Sequence, residues 1–127
     1  MMRLTSDFVV SALVRRVHAE GAFATVAHRG DPTAGAIFIL VDGLNGEVEL
    51  YGPAPPMTDE TVHPVDAALT GNRIFAKVDL KDASQTEGID RSIAERYLER
   101  QLSFDPDLWV VDIEDRDRRS FVPLAGG

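Results

Sequence analysis

Two short runs limit what this chain can fold into: Ala36–Asp42 (AIFILVD) and Leu108–Ile113 (LWVVDI). Side chains alternate between the two faces of a strand, so a run apolar at nearly every position is apolar on both faces. In the first run Phe38 and Leu40 fall on one side and Ile37, Ile39 and Val41 on the other. Such strands belong in the interior of a sheet that is covered above and below. The flanking pattern supplies the covers. Val9, Leu13 and Val17, with Phe8 and Ala12 beside them, recur at helical spacing after a capping Thr5 or Ser6, and Gly21 suits the helix end. Ile89, Ile93 and Tyr97, with Ala94, Leu98 and Leu102, make a second stripe, capped at Ser84 or Asp90 and ended by Asp105-Pro106.

Three further strands are expected. Ala22–His28 is one. Glu47–Tyr51 (EVELY) alternates, follows the hairpin pair Asn45-Gly46, and reads as lying near an edge until Gly52-Pro53 stops it. Arg73–Leu80 alternates with Ile74, Ala76, Val78 and Leu80 inward, and Arg119–Leu124 is a candidate short edge strand. Residues 57–72 read as loop, with a short turn at Val65–Leu69. The fold expected is α/β, α+β by connectivity. It is a single domain over residues 1–127, with one mixed, largely antiparallel sheet of about five strands and two main helices in three layers. The alternative is a two-layer sandwich whose open face is buried in a homodimer. The two differ in whether Leu108 and Val110 are covered within one chain.

Composition narrows the function. With 44% hydrophobic and 27% charged residues the chain has enough apolar content to form a core. It contains no cysteine, so disulfides, thiolate catalysis and cysteine-based metal centres are excluded, and a reducing cytoplasm fits. The apolar stretch Phe8–Val14 is preceded by Asp7 and followed by Arg15-Arg16, the reverse of a signal peptide, and no run is long enough to span a membrane. Net charge is −8, and residues 57–127 hold 15 of the 21 acids and 9 of the 13 bases. Such a surface repels phosphate backbones, so nucleic acid is an unfavourable partner.

The pieces RLTSDFVVSALVRRV (Arg3–Val17), RGDPTAGAIFI (Arg29–Ile39), LYGPAP (Leu50–Pro55) and FDPDLWVVDIEDR (Phe104–Arg116) resemble a small alphaproteobacterial family catalogued only as domain of unknown function 1491. They run in order along nearly the whole chain, with residues 57–88 least matched. The resemblance implies a compact α/β domain of this length. It implies no activity and transfers no catalytic residue.

Reactive motifs are sparse. Gly30 and Gly35 bracket Asp31-Pro32, but Ala36-Ile37 and a strand follow where a phosphate loop needs lysine and a helix, so a turn is the simpler reading. Asp66 with Asp79 and Lys81 echoes a metal-dependent nuclease only in two common residues at a common spacing. Asp105 and Asp107 are the metal candidates, with Asp112, Glu114, Asp115 and Asp117 following. The later acids are expected to pair with Arg116, Arg118 and Arg119. His18, His28 and His63 share no ligand spacing. His28, Arg29 and Asp31 place a base, a cation and a carboxylate on one loop; with Asp107 they are the catalytic candidates. Trp109 reads as core.

Two functions follow. The first is a cytoplasmic binding or interaction module without its own catalysis and without a cofactor, taking a protein partner or small ligand, with a homodimer as one form it can take. The second is a small carboxylate- or divalent-metal-dependent enzyme, hydrolase or nuclease-like, using the 28–31 loop and the 105–107 turn. It requires those two segments to share one end of the sheet.

Overall fold

The computed structural model describes residues 4–54, 73–80 and 90–124. Its elements run α1 (Ser6–Ala19), β1 (Phe23–His28), β2 (Ile37–Asp42), β3 (Val48–Pro53), β4 (Phe75–Lys77), α2 (Arg91–Phe104) and β5 (Trp109–Glu114). The strands form one mixed sheet in the order β1-β5-β2-β3-β4. Neighbours are antiparallel except β2 and β5, which run parallel in the register Ile37↔Trp109 to Asp42↔Glu114.

The two doubly apolar strands are therefore interior neighbours. Odd-numbered residues of β2 and β5, from Ile37 and Trp109 to Val41 and Ile113, pack with Val9, Val10, Leu13 and Val17 of α1. Even-numbered residues, Phe38, Leu40, Leu108 and Val110, pack with Ala94 and Leu98 of α2. Each large side chain so buried contributes roughly 1.5–3 kcal/mol. Leu108 is 1% exposed and Val110 5% within the single chain, so the three-layer arrangement holds and the two-layer alternative does not.

Local chemistry explains the element ends. Thr5 is the cap of α1, its side chain accepting from Phe8 N, and Gly21 follows the helix at φ +85°. Asp90 caps α2, accepting from Ile93 N; the rival start at Ser84 lies outside the described residues, as do Val65–Leu69, Asp66, His63, Lys81 and Ile89.

Several expectations need correction. Phe8 is 51% exposed, because the sheet reaches only the Val9–Val10–Leu13–Val17 side of α1. In the β2–β3 hairpin the left-handed residues are Leu44 (φ +60°) and Gly46 (φ +89°), and Gly43 N donates to Glu47 O. Asn45-Gly46 is thus part of a five-residue loop, not a two-residue turn. Strand β3 runs on through Gly52 and Pro53. Both pair with β4 beyond the last β2 partner, so the N–H that proline lacks faces no ladder. Strand β4 spans three residues, not eight, and its fully buried residue is Phe75, on the α1 side. Its neighbours Val78 and Leu80 pack towards α2. The tail adds one bridge, Phe75↔Leu124.

Candidate functional site

The 28–31 loop and the 105–107 turn meet at the end of the sheet where β2 and β5 begin. Asp31 N donates to Asp107 O at 2.8 Å, and the indole Nε1 of buried Trp109 donates to Asp31 O at 2.8 Å. The two glycines exist for this approach. A Cβ on Gly30 would lie 2.1 Å from Asp107 O, and one on Gly35 would lie 2.3 Å from the same atom. The carbonyls of Pro32 and Thr33 accept from Asp7 N and Ser6 N, and the buried Ser6 hydroxyl donates to Gly35 O at 2.6 Å. The loop therefore occupies the N-terminus of α1 with its own carbonyls, the place where a phosphate would otherwise sit.

The candidate side chains are brought to one end of the sheet but bonded to the chain itself. His28 Nδ1 lies 2.8 Å from Leu108 O. Arg29 reaches Asp7 at 3.3 Å, with its guanidinium 5.2 Å from the Trp109 ring centre. The Asp31 carboxylate accepts from Thr33 N and Ala34 N. The Asp105 carboxylate accepts from Asp107 N, and Asp107 meets the loop through its backbone. Among the described residues no group of three or more potential metal-ligating side chains converges.

Two features escaped the sequence. The first is an ion-pair cluster at the carboxyl ends of the parallel strands. Arg91, on the first turn of α2, pairs with Asp112 and reaches Asp42 at 3.1 Å and Glu95 at 2.7 Å. The Asp112 hydrogen bonds hold the guanidinium protonated well above its ordinary range. Asp42 and Asp112 interrupt the α2-facing rows of two otherwise apolar strands, and that was the available signal. Of the later acids, Asp115 pairs with Arg119 as expected, while Arg118 takes Glu47 instead.

The second feature is an open cleft of about 620 Å³ beyond the ends of β2 and β5. It is lined by Glu20–Phe23, Leu44, Glu114–Asp117 and Arg119. Phe23 and Leu44 on its walls are 55% and 49% exposed. Arg119 grips Asp115 through Nε and a second guanidinium nitrogen, at 2.9 and 3.2 Å. That grip, with the backbone N–H groups of Arg119 and Asp117, holds the Asp115 carboxyl below the usual carboxylate range.

Among the described residues, a five-stranded mixed sheet between two helices, with β2 and β5 as its parallel pair, defines an α+β fold. The family model described as "Protein of unknown function (DUF1491)" matches residues 4–123, and the chain belongs to that family. The solution structure of protein Atu0922 from A. tumefaciens is 39% identical, covering 89% of this chain and 86% of that one, with a TM-score of 0.66. The crystal structure of a DUF1491 family protein from Caulobacter crescentus CB15 is 34% identical over 98% of this chain and 100% of that one, at 0.70. An NMR structure of a DUF1491 family protein from the same organism is 34% identical over 99% and 100%, at 0.71. No curated protein matches. No helix among the described residues is long and apolar enough to cross a membrane.

Proposed function

We propose that the chain is a single-domain, cytoplasmic binding module without catalysis of its own, and that its ligand-facing surface is the cleft at the carboxyl ends of β2 and β5. One observation carries this reading. The reactive side chains His28, Arg29, Asp31 and Asp105 each bond elsewhere in the chain and assemble no metal-ligating group among the described residues, whereas the cleft turns two half-exposed apolar side chains, Phe23 and Leu44, towards solvent. Ends of parallel strands are also where open α/β sheets place ligands. Self-association has less support. On edge strand β1 the outward Ala24 N–H donates to His18 Nε2 at 3.2 Å, so a second strand pairing there would have to displace the His18 ring.

The second reading, a carboxylate- or metal-dependent enzyme using His28, Arg29, Asp31, Asp105 and Asp107, draws on the contact between the two loops. One experiment separates the two. Backbone amide resonances are followed while peptides, nucleotides, magnesium, manganese and calcium are added in turn, with melting temperature in parallel. The binding reading expects shifts clustered at residues 20–23, 44 and 114–119 and a ligand-dependent rise in melting temperature. Shifts confined to residues 28–31 and 105–107 on adding a divalent ion would refute it.

A further inference from the structure

We propose that the cleft receives a basic–apolar segment of a partner protein: a lysine or arginine set beside a bulky apolar side chain. The inference rests on the binding reading above and names what that surface takes. Leu44 is the starting point. A non-glycine residue at φ +60° is in a conformation that side chains with a Cβ disfavour, and this one also leaves half of an isobutyl group in water. The loop itself gains little from leucine there, since Asn45 and Gly46 already supply its turn chemistry and glycine or asparagine would fit position 44 better. An apolar side chain held outward at a cost in both conformation and solvation is explained by something that covers it.

Phe23 faces the same cleft. It opens edge strand β1 on the side of the sheet where Thr25 and Ala27 are also exposed, and the His18 ring stacks on it at 5.6 Å. The His18 ring thus backs one face of it before anything binds, which lowers the ordering cost of an encounter.

Charge selects the ligand. Asp115 and Arg119 neutralise each other within the cleft wall. Arg119 also reaches Glu20 at 3.6 Å, so the lining holds four acids, Glu20, Glu114, Asp115 and Asp117, against two bases, Arg116 and Arg119, on a chain of net charge −8. A cation is attracted here and an anion repelled. A cation beside an exposed aromatic ring gains further from the ring face. The same net charge weighs against a second copy of the chain as the occupant. The cleft is open, not enclosed, so an extended peptide fits better than an engulfed small molecule.

The test uses the full chain labelled with ¹⁵N and two pools of capped heptapeptides. One pool is randomised around a central Lys-Leu or Arg-Phe pair; the other has glutamate in place of each basic residue. The basic–apolar pool is expected to shift Phe23, Leu44, Glu114 and Arg116, with binding weakened at high salt. A peptide selected from it should lose about ten-fold in affinity on Leu44→Asn and on Glu114→Gln. Leu44→Asn should leave the melting temperature within about 4 °C of the parent, because asparagine tolerates the left-handed backbone.

Equal binding of the acidic pool, or of a basic peptide with serine replacing its apolar residue, overturns the ligand class while leaving the cleft as a binding surface. Cleft shifts that follow protein concentration alone would mean a second copy, and also overturn it. No cleft shift with either pool overturns the inference, and absence of any cleft ligand in the wider panel above overturns the binding reading as well.

Discussion

Replacing Gly30 with alanine tests the contact on which one end of the fold depends. The new methyl would sit 2.1 Å from Asp107 O and 2.6 Å from both Leu108 C and Leu108 O. These are backbone atoms, so no side-chain rotation relieves the overlap. The loop and the turn must separate by about 1.3 Å or more to reach ordinary contact distance. The 2.8 Å bond from Asp31 N to Asp107 O then stretches beyond bonding range. The bond from Trp109 Nε1 to Asp31 O breaks with it. Two hydrogen bonds at about 1 kcal/mol each, plus about 1–3 kcal/mol for buried groups left unsatisfied, give a loss of about 3–5 kcal/mol. At roughly 4 °C per kcal/mol for a domain of this size, the melting temperature should fall by about 10–20 °C. The only tryptophan is the residue whose bond is lost, so urea unfolding followed by its emission reads both stability and site. A loss under about 1 kcal/mol with unshifted native emission would refute the close-approach argument, since that is within the range of ordinary surface substitutions.

Two further outcomes are expected. Arg119 holds the Asp115 carboxyl below its ordinary range, so the unfolded chain binds this proton more readily than the folded one. The stabilisation is therefore present above about pH 4 and lost as pH falls through that value towards the depressed folded-state one. Asp115→Asn should melt below the parent at neutral pH, with the gap closing in acid; a gap constant from about pH 7 to 3 would contradict the pairing. His18→Ala removes the ring nitrogen 3.2 Å from Ala24 N, so the Ala24 amide should exchange with solvent markedly faster while Val111 and Ile113 amides do not. Unchanged exchange at Ala24 would mean the edge is closed by something else.

Much of the architecture could be read from side-chain alternation. Ile37–Val41 and Trp109–Val111 had to be interior because no one-sided position buries both of their faces. The α2 stop followed from Asp105-Pro106, and its cap is Asp90, one of the two starts the sequence offered. The misreadings share one cause, which is that local patterns do not say where a neighbour ends. Pro53 extends β3 because the β2–β3 ladder stops at Ile39↔Tyr51 and only β4 pairs with it there, and Phe8 stays wet because the sheet does not reach that far around α1. The candidate loops were legible as polar and clustered, but not as already satisfied. Whether Asp31 offers its carboxylate to a substrate or to Thr33 and Ala34 depends on a backbone path that composition does not encode.

Apolar periodicity, proline, capping residues and the lack of cysteine, all short-range properties of the chain, determined the layers, the central strands and the classes of chemistry ruled out. Tertiary structure alone decided that β2 and β5 run parallel side by side, that Arg91 spans Asp42 and Asp112, and that Phe23, Leu44 and Glu114 face one cleft. These are contacts between residues 20 to 90 positions apart. Such pairings are set by which strand edges and helix faces are left to satisfy once the core has closed, and a periodicity of two or 3.6 residues carries no record of that.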